Sequence, residues 1–159
     1  MLTPQRRREL IDTIGALPER LAARVRGLSA EQLTTHFLAR EWTVAQNVHH
    51  LGDSHMNSFI RLKLILTEDH PTLRPYDQDE WAKTPEANSP AIEISLRLLA
   101  GLHARWVMLF EGLSEADWAR TGYHPENGDM SVEDILQVYA AHGEGHLDQI
   151  ARTLAAQAG

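Results

Sequence analysis

Apolar residues recur at steps of three and four through four stretches of this chain, the period of a helix that buries one face. Leu10, Ile11, Ile14, Leu17, Leu21 and Val25 mark the first stretch. It is preceded by Thr3-Pro4, a capping residue followed by the residue whose missing N–H costs nothing at the first helical position. The pattern predicts a helix to about Arg26, stopped by Gly27 and kinked or split at Pro18. The second stretch, Val44, Val48, Leu51, Phe59, Leu62 and Leu66, starts from a capping box of Thr43 and Gln46 and should end around Thr67. A third, Ile92, Leu96, Leu99, Leu102, Trp106, Leu109 and Phe110, follows Ser89-Pro90 and runs to Gly112. The fourth begins near Ser131 and Asp134 and sets Ile135, Tyr139, His142, His146, Ile150 and Leu154 on one face.

Between the second and third helices, from Glu68 to Ser89, the periodicity lapses and Pro71, Pro75 and Pro85 interrupt the chain. A connection of about 20 residues that carries Tyr76 and Trp81 instead of Gly and Ser reads as a long ordered loop or lid. Leu113 to Met130 forms a second loop, with a short helical turn around Ser114 to Ala119 and turn chemistry from Tyr123 to Gly128. No stretch alternates convincingly as a strand. The expectation is an all-α four-helix bundle, one domain spanning residues 1–159, the architecture that builds metal sites from inward-facing side chains.

Charge and composition narrow the function. With 15 Lys+Arg against 22 Asp+Glu the formal net charge is −7, and no basic run exceeds Arg6-Arg7-Arg8. This argues against nucleic acid as a partner and reads the arginine triplet as a solvated face. The chain has no cysteine, which excludes disulfides, thiolate metal sites and a cysteine nucleophile. A transition metal would have to be held by histidine and carboxylate. No apolar run approaches the roughly 20 residues of a membrane span and no apolar signal core opens the chain, so a cytoplasmic protein with no membrane partner is expected.

His142 and His146 are the candidate chemistry. Four residues apart on a helix, their imidazoles lie only about 40° apart and one turn removed, close enough to share a metal ion. Catalytic zinc usually takes three protein ligands, and the second helix offers His49, His50 and His55 for the third. Periodicity favours His55, which continues the stripe of Val44, Val48, Leu51 and Phe59, whereas His50 sits at its edge, about 100° from Leu51.

The run from Trp42 through His49-His50-Leu51-Gly52-Asp53 to Asn57, continuing in Arg61-Leu62-Lys63, Thr67-Glu68, Arg74-Pro75-Tyr76-Asp77 and Trp81, resembles the YfiT-like branch of the DinB superfamily. The likeness extends from about Leu10 to the last helix and includes Tyr123-His124-Pro125 and the terminal His-x-x-x-His spacing. The chain departs from it at Gly143-Glu144-Gly145, where relatives are richer in histidine. The resemblance implies a four-helix bundle with one metal ion held by His50, His142 and His146, a register that overrules the periodicity vote for His55.

It further implies a metal-dependent hydrolase that activates water against an ester, amide or related bond. Two alternatives stand beside it: transfer of a low-molecular-weight thiol of the bacillithiol type to an electrophile, and a non-catalytic metal-binding stress-response module. Zinc is the expected ion, with nickel or another transition metal as alternatives. Asp53, one turn beyond His49 and His50, is a candidate to orient an imidazole or accept a proton. Arg61, Tyr76 and Trp81 are candidates for substrate contact or for pinning the loop, with Arg61 the natural partner of a substrate carboxylate. His49, His55 and His124 carry no assigned role. The expected partners are a small-molecule substrate and a second copy of the chain in a homodimer.

Overall fold

Each of the four apolar stripes folds into a long helix in the computed structural model, which describes residues 1–157. The elements are α1 (Pro4–Val25), α2 (Ala30–Thr34), α3 (Val44–Thr67), α4 (Gln78–Trp81), α5 (Glu93–Glu111), α6 (Glu115–Trp118), β1 (Thr121–His124), β2 (Gly128–Ser131) and α7 (Val132–Gln157). The caps fall where the side chains dictate. Thr3 Oγ accepts from the Arg6 N–H at 3.2 Å, and Thr43 and Gln46 close a reciprocal capping box at the start of α3. Ser131 and Asp134 form the same device ahead of α7, at 2.8 and 3.1 Å. Gly27, at φ +76°, supplies the left-handed residue just beyond the end of α1.

Several expectations are corrected. Helix α1 continues through Pro18 without a break. Ser89 turns the chain by accepting from the Ala91 N–H at 3.1 Å, so α5 starts at Glu93, a few residues later than the Ser-Pro signature suggests. The connection from Thr121 to Ser131 is an antiparallel hairpin, a strand pair too short for alternation to reveal it. Arg7 is also not solvated: it is buried, with its guanidinium 2.6 Å from Glu133 and 2.7 Å from Glu115, while Arg6 and Arg8 stay exposed.

Side-chain pairings give the topology. His49 meets Ser95 and His55 meets His103, so α3 and α5 run parallel. Arg7 meets Glu133 and Arg20 meets Glu144, so α1 and α7 are parallel as well. Around the bundle the order is α1, α5, α3, α7, with α1 opposite α3 and α5 opposite α7. A parallel pair cannot be joined by a tight turn. The segment from Glu68 to Ile92 must climb back along α3, whose 24 residues span about 36 Å, and this is why the long loop exists.

It is held on the way as an ordered strap. Arg61 donates to the Arg74 carbonyl at 2.6 Å, Gln46 Nε2 to the Ala82 carbonyl at 2.9 Å, and the His49 ring lies 2.9 Å from the Ser89 carbonyl. The strap also pairs with β1, through the Tyr123 N–H to the Pro71 carbonyl and the Leu73 N–H to the Tyr123 carbonyl. A Cβ at Gly122 would lie 3.0 Å from both the Pro71 oxygen and Ile65, so glycine is what permits this approach.

The apolar core is in two parts. One contains Ile14, Phe59, Trp106, Phe110 and Ile135; the other contains Leu17, Leu21, Val48, Leu51, Leu99, Leu147 and Ile150. On three helices the interval between the parts is occupied by histidine: His55 on α3, His103 on α5 and His142 on α7. Gly143 lets α7 approach α1 at this level, because a Cβ there would sit 2.6 Å from Leu17 Cδ2.

Candidate metal centre

His50, His142 and His146 converge. Their ring nitrogens form a group compact enough to share one ion, and His142 Nε2 lies 3.3 Å from His50 Nε2 and 3.2 Å from His146 Nε2. Ligands about 2.0 to 2.1 Å from a tetrahedral ion stand about 3.3 to 3.4 Å apart, so the observed spacing already fits. Burial holds all three rings neutral: His50 and His146 are pushed down to about 3 and His142 to about 4. Neutral imidazole is the form that binds metal.

The far side of each α7 imidazole is fixed by a partner. His146 Nδ1 is 2.7 Å from Asn47 Oδ1, and the Asn47 amide is itself oriented by donating to the Thr43 carbonyl at 2.9 Å. The Asn47 oxygen can only accept, so Nδ1 of His146 carries the proton and Nε2 presents its lone pair. His142 Nδ1 is 3.1 Å from His55 Nε2. Trp42 stacks on the His146 ring at 6.1 Å and meets His50 edge-on at 4.6 Å, walling the cluster.

His55 is fully buried, with contacts to His103 and His142. It lies behind the cluster, within the core, because the apolar stripe on which it falls is the stripe facing the bundle interior. The edge position of His50 is what lets it face the other two imidazoles. His49 is committed elsewhere: its ring nitrogens lie 2.8 Å from Ser95 Oγ and 2.9 Å from the Ser89 carbonyl, tying α3 to the end of the strap.

His142 also lies on the wall of a cavity of about 600 Å³ between α3, the strap, the hairpin and α7. Arg61, Tyr76, His124 and Asn127 line it. The Arg61 guanidinium is 5.9 Å from the Tyr76 ring, and its Nε is buried with no protein partner. His124 Nδ1 accepts from the Glu126 N–H at 3.3 Å, so a neutral His124 keeps its Nε2–H for another acceptor. Trp81 is 39% exposed and packs on Tyr76 with ring centroids 4.4 Å apart, supporting the cavity wall from outside. Asp53 does not line this cavity. Its carboxyl is raised to about 6 by burial and by Glu86, with His49 opposing.

Asn47, Trp42 and His103 are the residues the sequence pattern left without a role. His103 had a signal: it falls in register with Leu96, Leu99, Trp106 and Phe110 and is 1% exposed, whereas Leu102, assigned to the stripe, is only partly buried.

The DinB superfamily model matches residues 14–150, which spans α1 to α7. The chain belongs to the DinB superfamily. Among its relatives, one from Oceanobacillus iheyensis is 48% identical over 142 residues, covering 89% of this chain and 82% of that one. Another, from Geobacillus kaustophilus, is 48% identical over 145 residues, covering 90% and 81%. Both carry the name "putative metal-dependent hydrolase". The match in fold is equally clear. YfiT from Bacillus subtilis, described as a probable metal-dependent hydrolase with an unusual four-helix bundle topology, superposes with a TM-score of 0.93 at 35% identity, covering 96% of this chain and 88% of YfiT.

Proposed function

We propose that the chain is a metal-dependent hydrolase acting on a small substrate that carries an anionic group. The observation that supports this most is the position of His142, which belongs at once to the three-imidazole cluster and to the wall of the cavity. Among the described residues no other group of three histidines or carboxylates has this geometry, and no fourth histidine or carboxylate belongs to it. A coordination position is therefore left for water or substrate, the arrangement of catalytic sites and not of closed structural ones. Three neutral nitrogen donors and no cysteine in the chain suit zinc. When bound, such an ion acidifies water or polarises a carbonyl oxygen.

The remaining work falls to the chain. Asn47 and His55 hold the α7 imidazoles in place, Trp42 keeps solvent from one side, and Arg61 and His124 offer N–H donors across the cavity. A substrate carboxylate on the Arg61 guanidinium, which lines the cavity, would gain a charge-assisted hydrogen bond and fix its position relative to His142.

The test is turnover by zinc-loaded protein of paired esters and amides with and without a carboxylate, each run with and without a low-molecular-weight thiol. Thiol-independent hydrolysis that is lost in His142→Ala supports the proposal. With Arg61→Met, KM for the carboxylate substrate should rise about 10-fold or more, with little change for its neutral partner. Conjugation that occurs only with thiol replaces hydrolysis by thiol transfer, and metal binding with neither reaction leaves a non-catalytic metal module.

A further inference from the structure

Pro18 has no N–H to give to the Ile14 carbonyl, which in an unbroken α-helix would receive it. That carbonyl is buried and would be an orphan acceptor. It is taken instead by His103, whose Nδ1 lies 2.7 Å away. From there a line of contacts crosses the bundle: His103 Nε2 to His55 Nδ1 at 2.8 Å, then His55 Nε2 to His142 Nδ1 at 3.1 Å. The far nitrogen of His142 is the one that faces His50 and His146.

We infer that the Ile14 carbonyl, acting through His103 and His55, sets the tautomer of His142 and makes both histidines positioning residues of the metal centre. The proton assignment follows from one fact, that a carbonyl oxygen can only accept. His103 must then carry its proton on Nδ1 and present a bare Nε2. His55, facing that bare nitrogen, must donate from Nδ1 and is left bare at Nε2. His142 must donate from Nδ1 in turn. Its Nε2 is therefore free of hydrogen and points at the cluster.

The rings are enclosed by aromatic neighbours. Trp106 meets His55 and His103 edge-on, each at 5.6 Å, and Tyr139 meets His55 at 5.3 Å. The line also differs from a proton wire. His55 is 0% and His103 1% exposed, and the line ends on a backbone carbonyl that neither takes up nor releases a proton. It holds a proton pattern and conducts nothing to solvent. The α7 pair is thus set twice, His146 by an amide oxygen and His142 by a backbone oxygen three side chains away.

This inference rests on the reading of His142 as a metal ligand, so its test begins without metal. In metal-free protein labelled with ¹⁵N-histidine, at a pH where the imidazoles are neutral, NMR distinguishes protonated from bare ring nitrogens. His103, His55 and His142 should all show the Nδ1–H form. His103→Leu, which removes both the donor and the acceptor, should bring His142 into a mixture of tautomers and weaken Zn²⁺ binding about 10- to 100-fold in a chelator competition. His103→Gln keeps a donor for Ile14 and an acceptor for His55, and should recover most of the affinity together with the wild-type tautomer.

An Nε2–H His142 in the wild-type spectrum overturns the inference even if no variant folds. So does His103→Leu with unchanged tautomer and affinity, or a loss of affinity in both variants while the His142 tautomer stays fixed, which would make the effect one of packing. Failure of wild-type protein to bind Zn²⁺ strikes the metal reading instead, and the metal-free spectrum still decides the tautomer.

Discussion

Asn47 and His146 stand 99 residues apart in sequence and 2.7 Å apart in space, and the amide oxygen of the first fixes which nitrogen of the second is free. Asn47 is completely buried and lies one turn of α3 before His50, so it shares a helix with one member of the cluster while orienting another. Replacing it with Leu keeps the branched shape and removes the acceptor. Asn47→Leu should weaken Zn²⁺ binding about 10- to 100-fold, read by chelator competition, while the circular dichroism of the bundle is retained.

The two glycines between His142 and His146 should respond in opposite senses. Gly143→Ala forces a methyl to within 2.6 Å of Leu17 Cδ2, an overpacking of about 1 to 3 kcal/mol that should outweigh the gain of up to about 1 kcal/mol in helix propensity and leave the variant less stable. Gly145 has nothing within 4 Å of an added Cβ. Gly145→Ala should gain up to about 1 kcal/mol from helix propensity alone, with urea denaturation of the two variants as the measurement.

Asp53 gives a pH dependence of defined sign. Its carboxyl titrates at about 6 in the folded chain, against about 3.9 when unfolded. Between these values the folded state binds more protons, so this residue lowers stability progressively as pH rises from about 4 and in full above about 6. Asp53→Asn should stabilise the protein at pH 7 by on the order of 1 kcal/mol, a figure discounted for partial exposure, and the gain should shrink as the pH is lowered through 6. Chemical denaturation of both proteins across that range reads it directly.

The buried histidines act in the opposite sense. His50, His55, His103, His142 and His146 are all held below the ordinary histidine value, chiefly by burial, whereas the unfolded chain protonates them near 6.5. Below about pH 6.5 the unfolded state therefore binds more protons, and the metal-free fold should lose stability steeply as pH falls. Thermal melts should show the midpoint dropping by far more between pH 7 and 5 than in a variant carrying His55→Leu and His103→Leu.

The amphipathic stripes were enough to read the four long helices, because each buries one face over many turns. They could not reveal that α3 and α5 are parallel, since direction is decided by packing partners remote in sequence. The hairpin escaped for another reason. Four-residue strands that pair mainly with each other and with one bridge to the strap leave no alternation to count. At the site, periodicity favoured His55 over His50 and so found the residue deepest in the core. His50, at the margin of the apolar stripe, is the one whose ring meets those of His142 and His146. Asn47 and His103 act through hydrogen bonds to partners on other helices, a property with no local signature.

The cluster and the groups that orient it are drawn from every corner of the bundle: Ile14 on α1, Asn47, His50 and His55 on α3, His103 on α5, and His142 and His146 on α7. The unfolded chain offers at most the His142–His146 pair, so nearly all the free energy of metal binding accrues to the native state. The centre is also complete only once all four helices have docked, late on any folding route. Bound metal should therefore act as a latch, slowing unfolding in proportion to its affinity while leaving the folding rate almost unchanged.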